Sequence, residues 1–139
     1  MFKQEIRKKF RDSVFIRDKF RCKCCGKPGK DRQGGDLWKK FHKIEPLEEL
    51  DSHHIISRDL FENGGYVLSN GVSVCSDCHL KCERYWLCGV AIDGFSVEDL
   101  FKLIDSSEEK AVKDDNLFRD KLIKIEKNNK TNIIKKSSK

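Results

Sequence analysis

Two Cys-x2-Cys pairs constrain the fold of this chain more than any other feature of its sequence. The first pair is Cys22 and Cys25, and the second is Cys75 and Cys78. Gly26 follows the first pair, so its two thiols can converge on one ion from a tight turn, as tetrahedral zinc sites require. We therefore predict one structural zinc site in which four thiolates join two distant segments of the chain.

A disulfide scaffold is the alternative use of seven cysteines in 139 residues. The first fifteen residues are too charged, however, to supply the apolar core of a signal peptide. A reducing compartment and a bound metal are therefore favoured over disulfides. Three cysteines stay outside the predicted metal set, because an unpaired cysteine usually acts as a small buried hydrophobic residue. They are Cys24, Cys82 and Cys88.

Length and composition limit the size of the core. A chain of 139 residues is about one domain long, and 37% of its residues are charged while 37% are hydrophobic. A core built from so few apolar residues is thin, and a bound zinc ion would add its binding free energy to folding. No apolar run in the sequence is long enough to cross a bilayer.

The net charge of +6 is unevenly distributed along the chain. Residues 1–33 carry twelve Lys or Arg against four acidic residues, residues 34–95 carry six against ten, and residues 96–139 carry eleven against nine. A basic N-terminal segment beside an acidic centre fits a protein that binds phosphates with one surface and cations with another. A solvated helix face explains the N-terminal charges equally well.

The spacing of apolar residues predicts an N-terminal amphipathic helix, and a polar insert over residues 29–49 follows the first cysteine pair. The apolar positions of the helix are Phe2, Ile6, Phe10, Val14 and Phe15. We expect the insert to be a loop with a short helical piece, which Trp38 and Phe41 anchor to the body. His42 receives no role, because a lone histidine in a loop is usually a surface residue.

A strand, a turn, a second strand and a helix are predicted to follow the insert in that order. Aromatic and β-branched residues flank a glycine-rich turn at residues 63–65. This pattern places the two strands at residues 50–56 and 66–74, and it starts the helix near Ser76.

Further helices are predicted in the C-terminal third. One covers residues 96–105, with Ser96 and Asp99 placed as a capping box, and another covers residues 116–127. The end of the chain is basic and polar, and we expect it to be disordered. The expected parts are a main domain with the basic helix at residues 1–95, a helical extension at 96–130 and a tail at 131–139.

Polar residues that suit phosphodiester chemistry lie between residues 50 and 83. They are a histidine pair, an asparagine and a histidine that follows the second cysteine pair directly: His53, His54, Asn70 and His79. Two consecutive histidines are hard to explain if these residues only form a short apolar strand that packs in the core. With the two cysteine pairs, this order closely resembles the zinc-knuckle branch of the HNH endonucleases, over about residues 10–85.

This resemblance implies an α+β fold with a ββα-metal core, stapled by the four-Cys zinc site and flanked by an N-terminal helix and a C-terminal helical extension. It also implies a DNA endonuclease that hydrolyses phosphodiester bonds with one divalent metal ion such as Mg²⁺ or Mn²⁺. His54 would be the general base that activates water, while His53 and His79 would bind the catalytic metal. Neighbouring residues on a regular strand point to opposite faces, so His53 and His54 can share a site only where the strand ends or bends.

Three further residues have roles that the resemblance implies, each beside an ordinary alternative. Glu83 lies where some members place another metal ligand, and a carboxylate there favours Mg²⁺ or Mn²⁺, although a solvated helix glutamate is the common case. Asn70 matches the middle letter of the family name and would bond backbone groups across the two strands; direct metal contact and a plain turn residue are the alternatives. Arg58 lies where the family often places a cation that binds phosphate. The alternative is that Arg58 is an ordinary surface arginine.

Two other functions stay open on the sequence. A non-catalytic zinc-knuckle nucleic-acid-binding module would explain the cysteine pairs and the basic ends, but not the consecutive histidines. A thiol redox protein would leave the histidines without a role.

The setting is also implied by the resemblance. Many small nucleases of this kind are encoded by phages or mobile elements, so we expect a chain in the cytoplasm of a bacterial host that acts on DNA and has no membrane partner. The C-terminal helices would form a homodimer, bind DNA or dock a phage packaging or replication protein. The insert over residues 29–49 is longer than in the smallest members of the family.

Overall fold

The structure is a computed structural model, and it describes residues 2–118 of the chain. A three-stranded sheet lies at its centre with the order β1, β2, β3. The strands are β1 (Gly29–Asp31), β2 (Glu48–His54) and β3 (Gly71–Cys75). β1 is parallel to β2, and β2 is antiparallel to β3. A helix precedes the sheet and another follows β3 directly, so the α+β fold with a ββα core is confirmed.

The N-terminal helix α1 covers Phe2–Arg17, as predicted. Its residues Phe10, Val14 and Phe15 are buried, and α1 packs against β2 and β3. The spacing of these three residues puts them on the face that meets the sheet, while the charged residues between them stay outside. The basic residues Arg7, Lys8 and Lys9 of the helix are exposed.

An ion pair between Arg17 and the buried Asp18 fixes the end of α1 against the start of β3. Asp18 is 5% exposed and accepts a hydrogen bond of 2.9 Å from the backbone N–H of Ser73. Arg17 donates to the Asp18 carboxylate and to the carbonyl oxygens of Leu68 and Gly71. Because each of these polar groups has a partner, the contact can hold the helix in one position.

The insert is more ordered than predicted, because its first three residues form β1. A strand of this length gives no periodic signal in the sequence, and its pairing with Glu48, Glu49 and Leu50 is non-local. Gly29 suits this place, since a side chain there would collide with the side chain of Leu50. The strand β1 therefore depends on contacts that the local sequence does not reveal.

The rest of the insert agrees with the prediction. A short 3₁₀ helix covers Leu37–Lys40, and Trp38 within it is buried. The Phe41 ring lies 5.5 Å from the Phe20 ring, so the insert is anchored to the core by its aromatic residues. His42 places its Nε2 atom 2.9 Å from the carbonyl oxygen of Phe20.

The predicted boundaries of the second and third strands were wrong. β2 begins and ends two residues earlier than predicted, and β3 begins at Gly71 rather than at Tyr66. Residues 66–70 instead belong to a loop that ends in a short 3₁₀ helix. The side chain of Asn70 bonds backbone groups across this loop, so the loop does not need a strand partner.

Helix α2 (Ser76–Cys88) follows β3 without a loop, and Gly89 ends it with a φ of 81°. Helix α3 (Val97–Leu103) begins with the predicted capping box of Ser96 and Asp99. Among the described residues, none of the helices combines the length and the apolar character that crossing a bilayer requires.

A helix α4 over residues 108–118 begins well before the predicted start at residue 116. Ser107 explains the earlier start, because its hydroxyl accepts a hydrogen bond of 3.2 Å from the backbone N–H of Lys110. Most of the helix predicted at 116–127 and the whole predicted tail at 131–139 lie outside the described residues.

Helix α4 is fixed to the loop between β2 and β3 by a buried carboxylate. Asp115 is 1% exposed and accepts hydrogen bonds from the backbone N–H groups of Asn63 and Gly65, at 3.1 and 2.9 Å. Asp114 also accepts a hydrogen bond of 2.6 Å from the hydroxyl of Ser69. Helix α4 therefore stabilises the loop that carries Asn70.

Replacing Asp115 by Ala should lower the free energy of unfolding by about 3 kcal/mol, because two backbone N–H groups in the loop lose their acceptor. Urea unfolding measures this change. The control is Glu109→Ala, an exposed residue of the same helix, which should change the stability by less than about 0.5 kcal/mol. Equal stability of the two variants would contradict this account of how α4 docks.

Candidate metal sites and active-site cleft

Four cysteine thiols from two parts of the chain meet at one place. Cys22 and Cys25 lie in the turn after α1, Cys75 ends β3 and Cys78 lies in the first turn of α2. Gly26, with a φ of 83°, closes the turn by donating its N–H to the carbonyl oxygen of Cys22 at 2.8 Å. The four Sγ atoms all lie within 4.8 Å of one another.

The geometry of this thiol cluster fits a tetrahedral metal ion. Zn–S bonds of about 2.3 Å give a tetrahedron whose edges are about 3.8 Å long. The Sγ atoms of Cys25 and Cys75 are 3.8 Å apart, and both are free thiols. Four sulfur donors at this spacing are the ligand set that zinc prefers in structural sites.

Without a cation, the cluster keeps its thiol protons. The pKa of Cys22 is raised to about 11, first by its hydrogen bond with Cys24 and then by burial. Burial also raises the pKa of Cys78. A divalent cation would replace these protons, so metal binding here is linked to pH. Cys24 and Cys82 pack in the core beside the cluster, and Cys88 is exposed.

Replacing Cys78 by Ser, or removing the metal with a chelator, should lower the melting temperature by at least about 10 °C, because the metal joins two distant segments. Circular dichroism measures the melting temperature, and elemental analysis measures the bound zinc. The matched control is Cys88→Ser, which removes an exposed thiol and should leave both values unchanged. A Cys78→Ser protein that still binds one zinc ion with an unchanged melting temperature would rule out the four-thiol site.

A cleft of about 490 Å³ lies where the end of β2 meets α1, α2 and the loop after β2. The cleft is lined by five of the residues that the sequence motifs singled out: His53, His54, Arg58, His79 and Glu83. Asn70 does not line the cleft, because it is fully buried.

One imidazole from β2 and two side chains from α2 form a second cluster inside the cleft. His79 and Glu83 are one helical turn apart, so they lie on the same face of α2. The Glu83 Oε1 atom lies 3.1 Å from the His79 Nε2 atom and 3.4 Å from the His53 Nδ1 atom. The ligand atoms of all three residues lie within 4.8 Å of one another.

The environment of His53 indicates that this histidine cluster can take a cation. His53 is 3% exposed, and its Nε2 atom is buried with no hydrogen-bond partner among residues 2–118. The other ring nitrogen of His53, Nδ1, faces the Glu83 carboxylate, so it can share a cation with His79 and Glu83. Two imidazoles and one carboxylate suit several divalent ions.

His54 lies outside that cluster and faces α1 instead. Its ring stacks on Phe10 with a centroid distance of 4.5 Å and meets the edge of Tyr66 at 4.9 Å. Burial, assisted by the charges of Arg58 and His53, lowers the pKa of His54 to about 4. β2 ends at His54, so the two adjacent histidines contact different helices and still line one cleft.

The amide of Asn70 supports the segment that follows the histidine pair. Its Oδ1 atom accepts a hydrogen bond of 3.0 Å from the backbone N–H of Ile56. Its Nδ2 atom donates to the carbonyl oxygens of Ile56 and Gly65, each at 3.2 Å. The backbone N–H of Ile55 donates to the Asn70 carbonyl oxygen at 2.9 Å. These bonds fix the chain directly after His54.

Two residues of the cleft were missed in the sequence: Arg7 and Tyr66. The Arg58 guanidinium donates a hydrogen bond of 3.0 Å to the Tyr66 hydroxyl. Burial raises the pKa of Tyr66, but Arg58 and Arg7 together lower it below its ordinary value. Two cations therefore converge on one oxygen atom at the mouth of the cleft. Arg7 could have been found, because it precedes buried Phe10 by one helical turn.

Fold and site together define a class of protein: an α+β domain in which a ββα unit places a histidine–carboxylate cluster and a cluster of four thiols, each with the spacing of a possible metal site. The family model of the HNH endonucleases matches residues 22–84. This segment is therefore similar to the HNH endonucleases, as its motifs predicted. No match is found among curated proteins or among solved structures.

The low pKa of His54 makes the stability of the protein depend on pH. Between pH 6.5 and about 4 the unfolded chain binds a proton at this residue that the folded chain does not, so stability falls as the pH falls. From pH 7 to pH 5 the wild type should lose about 2 kcal/mol more than His54→Phe, which keeps a ring against Phe10. Urea unfolding at both pH values measures the difference, and equal losses would show that His54 titrates normally.

Proposed function

We propose that this chain is a metal-dependent endonuclease that hydrolyses phosphodiester bonds in DNA. The observation that carries the proposal is the pairing, in one cleft, of a histidine–carboxylate cluster suited to a cation with a separate, neutral imidazole. The HNH family match supports a nuclease in general. The zinc-knuckle branch of that family, with zinc in the thiol cluster, is part of the proposal and agrees with the four-sulfur geometry.

Hydrolysis in line requires a deprotonated water, a positive charge near the phosphate oxygens and stabilisation of the departing 3′ oxygen. A divalent cation held by His53, His79 and Glu83 would supply the charge for the transition state and for the leaving 3′ oxygen. Mg²⁺ and Mn²⁺ suit the carboxylate of Glu83, whereas the two imidazoles accept other divalent ions as well.

His54 is our candidate for the general base. Its low pKa keeps the ring neutral at pH 7, so one nitrogen is free to accept a proton from water. A ring with a pKa near 4 is a weak base, but an anionic phosphodiester in the cleft would favour the charged imidazolium and raise the pKa. The stack on Phe10 holds the ring in one plane while the proton moves.

Positive charge at the mouth of the cleft suits the DNA backbone. Arg58 and Arg7 face the Tyr66 oxygen, in an arrangement that a phosphate oxygen could share. Arg11 also lines the cleft, but a contact of 2.7 Å with Asp31 offsets its charge. We therefore assign phosphate binding to Arg58 and Arg7 first.

We assign the remaining parts of the molecule supporting roles. Asn70 would position His54 by holding Ile55 and Ile56, rather than contact the metal. Residues 1–95 would form the nuclease domain, and the helices that follow would form the extension that stabilises its loop through Asp115.

Supercoiled plasmid provides the test. Wild-type protein with Mg²⁺ or Mn²⁺ should nick the plasmid, and chelation should stop the reaction. His54→Ala should nick at least about 100-fold more slowly, because it loses general base catalysis, yet bind DNA with similar affinity in fluorescence anisotropy. The matched control is His42→Ala, a histidine outside the cleft, which should nick at close to the wild-type rate.

The alternative function predicts a different result. If the wild type binds DNA but does not nick it with any divalent metal, the chain is a non-catalytic nucleic-acid-binding module and the proposal fails. Nicking that survives in His54→Ala would keep the nuclease and remove His54 from the role of base.

A further inference from the structure

Both ring nitrogens of His79 face an acidic side chain. The Nε2 atom points to Glu83 at 3.1 Å and so belongs to the histidine cluster. The Nδ1 atom lies 3.3 Å from the Oδ2 atom of Asp51, a residue of β2 that is outside the cluster. The two nitrogens of one ring therefore have different surroundings, one on the cation side and one on the sheet side.

Asp51 is held in turn by an arginine from the insert. The Arg32 Nε atom donates to the Asp51 Oδ1 atom at 3.0 Å, and its Nη2 atom donates to the Oδ2 atom at 3.2 Å. This forked contact fixes both carboxylate oxygens. Arg32 directly follows β1, and its backbone N–H donates to the carbonyl oxygen of Leu50 at 3.2 Å. The guanidinium also contacts Glu49 and the hydroxyl of Ser76.

We propose that Arg32 and Asp51 form a positioning pair for His79. Asp51 accepts the Nδ1–H proton of the neutral ring, which leaves the lone pair on Nε2 directed toward His53 and Glu83. A carboxylate behind a metal-binding histidine fixes its tautomer and its ring plane, and makes it a better ligand. The inference rests on the proposed function, because it assigns His79 to the catalytic metal.

Stability gives no equally good reason for this pair. Arg32 and Asp51 have side chains that are 41% and 24% exposed, and ion pairs this close to solvent usually contribute less than about 1 kcal/mol to folding. The contacts instead connect Arg32 of the insert to Asp51 of β2, and Asp51 to His79 of α2, which belongs to the histidine cluster. The insert over residues 29–49 thus supplies a residue to the site, although it lies outside the ββα unit.

The first test reads the tautomer of His79 in zinc-loaded protein without a catalytic metal. At a pH at which the His79 ring is neutral, and with Glu83→Ala in every sample to remove the competing acceptor at Nε2, nitrogen-15 NMR of the histidine rings should show the proton of His79 on Nδ1 when Asp51 is present. Asp51→Asn keeps an acceptor oxygen and should preserve this tautomer, whereas Asp51→Ala should lose the preference. Because no catalytic metal is present, this result does not depend on nuclease activity.

The second test measures Mn²⁺ binding by electron paramagnetic resonance. Asp51→Ala should weaken binding about 10-fold to 100-fold, and Arg32→Ala should weaken it less. The matched control is Glu49→Ala, which removes a contact of Arg32 but leaves the contact between Asp51 and His79 intact. That control should bind Mn²⁺ like the wild type, and thermal unfolding of the variants should stay close to that of the wild type.

These outcomes separate the two proposals. An unchanged His79 tautomer and unchanged Mn²⁺ affinity in Asp51→Ala would overturn the positioning pair, even if the wild type nicks DNA. Failure of the wild type to nick DNA would overturn the proposed function, while the NMR result would still report on how Asp51 holds His79. If Glu49→Ala weakens Mn²⁺ binding as much as Asp51→Ala does, the loss comes from a general effect on the sheet, and the positioning pair is wrong.

Discussion

The convergence of four thiols is the constraint on which the rest of the structure depends. Cys75 and Cys78 flank the junction of β3 and α2, and Cys22 and Cys25 tie this junction to the turn after α1. α2 starts at that junction, so its direction determines where its cleft-facing side chains meet β2. In a chain with a small apolar core, one metal ion held by these sulfurs can position the cleft-facing side of α2 more firmly than packing alone.

A second set of contacts determines the shape of the cleft on its other side. Buried polar groups, rather than a strand ladder, organise the loop between β2 and β3: Asn70 joins its two ends and Asp115 holds its glycine-rich turn. Both residues are almost fully buried with their polar atoms paired, so the loop has few alternative arrangements. This rigid loop brings Tyr66 and Arg58 to the same cleft as His54.

The pKa values of the three histidines that line this cleft are shifted in different directions, which suits these histidines to different tasks. Burial lowers the pKa of His53 and of His54, whereas the hydrogen bond with Asp51 raises the pKa of His79. Neutral imidazoles serve as metal ligands or as proton acceptors. Groups in one site whose pKa values are pushed apart by their surroundings usually have separate roles.

Local patterns predicted much of this molecule, and non-local contacts explain the rest. The cysteine spacing, the apolar face of α1 and the capping box of Ser96 are short-range patterns that can be recognised directly in the sequence. β1 was missed because a three-residue strand has no period, and β3 was predicted too long because Asn70 satisfies its loop by a side chain. The pair of Arg32 and Asp51 was also missed, since two surface charges far apart in sequence give no sign that they meet.

The most direct test of the central claim is anomalous diffraction from crystals of the full chain grown with zinc and Mn²⁺. The account predicts a zinc peak among Cys22, Cys25, Cys75 and Cys78, and a separate manganese peak in contact with His53, His79 and Glu83. His54 should contact neither ion. A manganese peak bound by His54, a histidine cluster without metal, or cysteines joined as disulfides would contradict the account.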